Sequence, residues 1–143
     1  MKTNTTQRIL MTAGIVALLT VSAAFGQTRR AVADVPFQFA VGENILPAGK
    51  YFVEVNTAVN RIQLVSEDGA TRVSMTTHRG DRPVPSDRAA LVFKRYGTSR
   101  FLGQVAVSGD TGSYELARTR AEKELARVSR PLAEVAEIPV VAR

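Results

Sequence analysis

Apolar and polar residues alternate with period two along most of the chain. Val35, Phe37, Phe39 and Val41 give a first run one apolar face, and Tyr51, Val53 and Val55 do the same beyond Pro47-Ala48-Gly49. Successive side chains of a strand point to opposite faces, so this pattern predicts strands with one side buried. The first is expected over residues 34–41, with Pro36 at its unpaired start because proline cannot donate to a ladder. The second is expected over residues 50–56, its start set by the Pro-Ala-Gly turn.

The alternation continues with Ile62 and Leu64 inward over residues 61–66. Asp68-Gly69 then carries a hairpin signal, and Val73 and Met75 share a face over residues 71–77. Residues 78–88 (HRGDRPVPSDR) lose the pattern and predict a long surface loop. Residues 89–96 (AALVFKRY) form the most hydrophobic strand, expected at the centre of the sheet. Leu91 and Phe93 lie on one face, with Ala90, Val92 and Tyr96 on the other. Residues 100–107 (RFLGQVAV) return as its partner, with Gly103 where a neighbour approaches closely. A further short strand is expected at Ser113–Leu116.

The period changes at Thr119. TRAEKELARVSR has an N-cap threonine with Glu122 three residues on, a capping box, and sets Ala121, Leu125 and Val128 along one helical face expected to pack on the sheet. Pro131 ends the helix. Residues 131–143 are expected as an extended tail, either docked as a last edge strand around residues 138–141 or loose. The fold class predicted is mainly β: a single antiparallel β-sandwich or flattened barrel of about six to eight strands with one short C-terminal helix. Phe37, Phe39, Tyr51, Phe93 and Phe101 are its expected core.

The N-terminus adds a leader to this picture. Lys2 and Arg8 precede an apolar run, ILMTAGIVALLTV, over residues 9–21, too short for a comfortable bilayer span. Small residues follow, and Ala24-Phe25-Gly26 predicts a signal-peptidase cut after Gly26, with Ser22-Ala23-Ala24 a second acceptable site. The expected organisation is a signal peptide over 1–26, a mobile basic leader over 27–33, a β domain over 34–117, an amphipathic helix over 118–130 and the tail over 131–143. The destination expected is the periplasm or the extracellular space, with no stable membrane insertion after cleavage. The 143 residues include no cysteine, which excludes disulfides and lipoprotein attachment, so stability must come from apolar burial. A net charge of +6 without a clustered basic, aromatic-interleaved stripe argues against nucleic acid.

VPFQFAVG, LPAGKYFVEV, LVFKRYGTSRFLGQV and ELARTRAEKELA, in this order, span nearly all of residues 27–143. The series resembles a family of small exported bacterial proteins of unassigned function, marked by VPFxFxVG, LPAGxYxV, LVFxRYGxxxFLxxV and a SRAExELA-like helix. Thr119 stands where that helix segment often has serine, and both residues cap. The resemblance implies a secreted, mainly β domain and carries no substrate, cofactor or catalytic residue.

Candidate chemistry is sparse. His78, Asp81, Ser86 and Asp87 share the 78–88 loop, but a hydrolytic triad needs its base and nucleophile held on rigid elements. The same residues lack the spacing of a metal cluster, and Glu67 and Asp68 are explained by their turn. Lys94, Arg95, Tyr96 and Arg100 bring cations and a phenol to one sheet edge and form the candidate contact surface. Arg118, Arg120, Lys123 and Arg127 invite a membrane-surface reading of the helix. Glu122 and Glu124 interrupt them and the apolar face is narrow, so packing on the sheet is expected instead. The function read from these residues is a non-enzymatic envelope or extracellular interaction module, needing no cofactor or metal, with an envelope protein or polysaccharide as partner. A small barrel binding a hydrophobic ligand is the alternative, and a hydrolase using the loop from His78 to Arg88 comes third.

Overall fold

The structure, a computed structural model, describes residues 28–80, 89–108 and 112–137, with side chains as far as Leu132. The expected signal peptide lies outside the described residues. Ten strands and one helix follow in order: β1 (Thr28–Val35), β2 (Phe39–Val41), β3 (Asn44–Leu46), β4 (Gly49–Asn56), β5 (Arg61–Ser66), β6 (Arg72–Gly80), β7 (Ala90–Tyr96), β8 (Ser99–Ala106), β9 (Ser113–Leu116), α1 (Arg120–Val128) and β10 (Leu132–Glu137). The protein is mainly β with one short helix near its C-terminal end, as the alternation predicts.

The strands form one hydrogen-bonded path, β1-β4-β5-β6-β9-β8-β2-β3, with β7 on β8 and β10 on β7. Pairing is antiparallel except at the single contact of β2 with β8, Ala40 opposite Phe101. β6 carries the path from one layer to the other. Its residues 72–76 pair with β5 and its last four with β9. The two layers enclose one core, to which β1 through β9 all contribute, and the path does not close into a barrel.

Three expectations about strand boundaries change. Residues 28–33, expected as a mobile leader, belong to β1, which pairs along its whole length with β4 from Thr28 opposite Asn56 to Val35 opposite Gly49. The strand expected over 34–41 breaks at Pro36, which offers no N–H to a ladder. Val35 ends β1, and the chain re-enters the sheet at Phe39, so the link from β1 to β4 holds the small β2–β3 hairpin. The tail docks earlier than expected, as β10 from Leu132 opposite Arg95 to Glu137 opposite Ala90. Residues 138–141 lie outside the described ones. The split at Pro36, the added β3 and the paired tail bring the strands among the described residues to ten. β7, expected at the centre of the sheet, is instead second from its edge, paired on one side with β8 and covered on the other by the edge strand β10.

Local chemistry explains the turns. Gly69, at φ +71, reverses the chain between β5 and β6, while the Asp68 carboxylate accepts from the Ser66 hydroxyl and the Ala70 amide. These bonds, that from Ser66 first, hold the Asp68 carboxyl below its usual range. The Tyr51 hydroxyl donates to the Pro47 carbonyl at 2.6 Å, so the tyrosine that opens β4 also braces the Pro-Ala-Gly turn before it.

Phe39 is the hub of the aromatic core. It meets Tyr51 and Phe93 edge to face, both at 5.3 Å, and Phe37 meets Phe93 in the same way at 5.0 Å. Phe39, Tyr51 and Phe93 are buried in this core as expected, and Phe37 packs half-buried against it. Phe101, expected with them, is instead buried outside the cluster against Tyr96, because its neighbour Leu102 takes the inward position on β8. The cavity among β1, β4, β7 and β8 is about 10 Å³. That is at the lower limit for one water, so an enclosed hydrophobic ligand has no room there.

A candidate binding cleft beside the helix

Past Tyr96 the β7–β8 hairpin turns through Gly97, at φ +60, and two chemically distinct faces result. Leu91, Phe93, Leu102 and Val105 point into the core. Tyr96 and Phe101 meet edge to face at 5.9 Å outside that cluster, and Lys94 runs its aliphatic stem past Gly103, where an added methyl group would come within 3.1 Å of its Cε. Gly103 thus sits at the close approach its position predicts.

The helix lies over Lys94 and Tyr96, and its seating corrects the expectation. Ala121, Leu125 and Val128 were the face expected to pack on the sheet. Instead Ala121 is exposed, Leu125 is half-buried and Val128 is 81% exposed, whereas Glu122 is 4% exposed. Glu122 Oε1 accepts from the Tyr96 hydroxyl at 3.2 Å and lies 3.8 Å from Lys94 Nζ and 3.9 Å from Arg118 Nε. A buried carboxylate needs such partners. With the Tyr96 phenol and the Lys94 ammonium offered by β7, and Arg118 adding a second cation from the segment that leads into the helix, the helix docks through its charge, and its weak apolar stripe of Ala, Leu and Val is turned aside. Burial, with the Glu122 charge beside it, pushes the Tyr96 phenol above its ordinary range. The Thr119 half of the capping box forms, its Oγ1 accepting from the Glu122 amide at 3.1 Å.

This seating divides the candidate contact surface of Lys94, Arg95, Tyr96 and Arg100. Tyr96 is buried and Lys94 is tied to Glu122, so neither is presented to a partner. Arg95 and Arg100 stand opposite each other on the inner face at the end of the hairpin, and the Arg100 guanidinium lies 4.4 Å over the Phe37 ring.

Arg100 also lines an open cleft of about 840 Å³ between the β2–β3 hairpin, the β7–β8 turn and the first turn of α1. Phe39 and Phe101 contribute to its floor, Ile45 and Arg120 stand on opposite sides, and Glu43 and Glu124 add acids. Ile45 is 68% exposed. The volume is in the range of small-ligand sites, yet the cleft is open to solvent and mixes apolar groups with both signs of charge. Sequence reasoning finds Arg100 and misses the rest, because the cleft exists only once Pro36 has thrown β2–β3 out from the β1–β4 pair.

His78 is on β6 and not in a loop, its Nε2 3.5 Å from Glu115 Oε2 across the ladder. Asp81, Ser86 and Asp87 lie outside the described residues. Among the described residues no group of three or more His, Asp or Glu side chains is placed to hold a metal ion, and no helix is long and apolar enough to cross a membrane. No protein family, curated protein or solved structure matches the chain.

Proposed function

We propose that the chain is a non-enzymatic interaction module of the envelope or extracellular space, and that it takes an extended segment of an envelope protein in the cleft between β2–β3 and α1. The observation that supports this reading is Ile45, an aliphatic side chain held out on a short hairpin above a cleft floored by aromatic rings. A polypeptide brings apolar groups, backbone amides and both charge signs, and the cleft walls complement all three. A polysaccharide would leave Ile45 without a partner. The short apolar run over residues 9–21, followed by Ala24-Phe25-Gly26, supports export.

Titrating the isotope-labelled chain with an envelope extract and following backbone amides tests the reading. Shifts clustered at Ile45, Thr98 and Ala121 are expected. Shifts centred on the outer face of β4 and β5, or none at all, would overturn it.

A further inference from the structure

Seating Glu122 inward leaves the other side of α1 with an unbalanced charge. Arg120, Lys123, Arg127 and Arg130 are all exposed, and Glu124 is the one exposed acid between residues 120 and 132, while Arg118 stays with Glu122. It lies 3.4 Å from Arg127 Nη1. At the C-terminal end of this basic surface Val128 is 81% and Leu132 59% exposed, with exposed Pro131 between them. Interruption by Glu122 and Glu124 is what argues against a membrane-surface helix in the sequence. In the folded protein Glu122 is withdrawn from that surface altogether.

We propose that the outward side of α1, continued through Arg130 to Leu132, is a docking surface for an anionic lipid bilayer. Charge complementarity supplies the attraction, which acts over about a Debye length, ~10 Å at 0.1 M salt. Val128 and Leu132 decide which anionic partner fits. On a bilayer they pass the headgroups and leave water, as the apolar residues of interfacial helices do, whereas an anionic polysaccharide would engage the cations and leave both side chains solvated. The surface borders the cleft at Arg120 and Glu124 and is otherwise distinct from it, because Lys123, Arg127, Val128, Arg130 and Leu132 do not line it.

The test is co-sedimentation of the purified chain with vesicles of phosphatidylcholine alone or mixed with phosphatidylglycerol. Two variants are compared with the parent: Lys123→Gln/Arg127→Gln/Arg130→Gln, and Val128→Ser, which leaves the charge unchanged. The apolar run over residues 9–21 is common to all three, so differences among them report the helix surface alone. The parent is expected on the phosphatidylglycerol vesicles and to leave them at high salt. Each cation removed weakens binding about fivefold, so the triple variant falls about a hundredfold, and Val128→Ser weakens it by about threefold. All the substituted positions are exposed, and unchanged circular dichroism and melting establish that the variants are folded. Equal binding of parent and triple variant would overturn the proposal. So would an unchanged Val128→Ser variant together with equally tight binding to a soluble anionic polysaccharide, an outcome that assigns the surface to sugar polymers.

Discussion

The hydroxyl of Tyr96 donates to the carboxylate of Glu122 at 3.2 Å, joining residues 26 apart in the chain and fastening the helix to the sheet. Lys94 and Arg118 complete the site, so every buried oxygen of Glu122 has a polar neighbour. Tyr96→Phe removes one hydrogen bond and is expected to cost about 1 kcal/mol, whereas Glu122→Ala strands the half-buried Lys94 ammonium and costs about 2 to 3 kcal/mol. Urea denaturation of both single variants and the double variant should give a coupling of about 0.5 to 1.5 kcal/mol. Additive losses would mean that the pair does not hold the helix.

Alkaline pH should weaken the fold through the same phenol. Burial raises the Tyr96 pKa above 10.0, and burial together with the Asp68 charge raises that of Tyr51. Both groups therefore bind their protons more tightly folded than unfolded. Their contribution is fully present below pH 10 and is lost as pH rises through the folded values. Melting temperatures measured from pH 8 to 11 should hold steady and then fall, and Tyr96→Phe should reduce the fall. A profile flat to pH 11 would contradict the burial of these hydroxyls.

Phe39 joins the two layers through its edge-to-face contacts with Tyr51 on β4 and Phe93 on β7. Phe39→Ala should cost about 3 to 5 kcal/mol in a chemical denaturation curve. A cost near that of a surface substitution would mean that β2 is wrongly placed in the core.

Gly103 gives a test in the opposite direction. An added methyl group meets the Lys94 stem at 3.1 Å and displaces the ammonium from Glu122, so Gly103→Ala should destabilise by about 1 kcal/mol. In a Lys94→Ala background the same substitution should cost nothing measurable. An equal cost in both backgrounds would locate the strain in the backbone.

The legible part of this protein is its sheet. Period-two alternation requires only that one face be buried, and Val53, Val55, Ile62, Leu64, Leu91 and Phe93 all point where that rule puts them. β1 was not legible because the residues turned inward from its middle are alanines, Ala31 and Ala33, whose small side chains give little hydrophobic contrast. Their burial is set by pairing with β4, a contact made across the β2–β3 hairpin. The helix itself was legible through Thr119 and Glu122, but not its seating. Periodicity assumes that the apolar stripe faces inward, and here a phenol and a cation on the partner surface, with Arg118 beside them at the helix entry, outweigh three modest apolar side chains. The cleft was legible only at Arg100, since its other walls come from segments that the break at Pro36 and the docking of α1 bring together.

Site-specific photo-cross-linking tests the interaction-module reading most directly. A photoreactive residue is placed at Ile45 on the cleft wall or at Phe52, an exposed apolar position on β4, and the chain is irradiated in its native compartment. A discrete protein adduct from position 45, absent from position 52 and lost on adding Arg100→Glu, is the result expected. Equal adducts from both positions, or an adduct from position 52 alone, would contradict the assignment of the cleft.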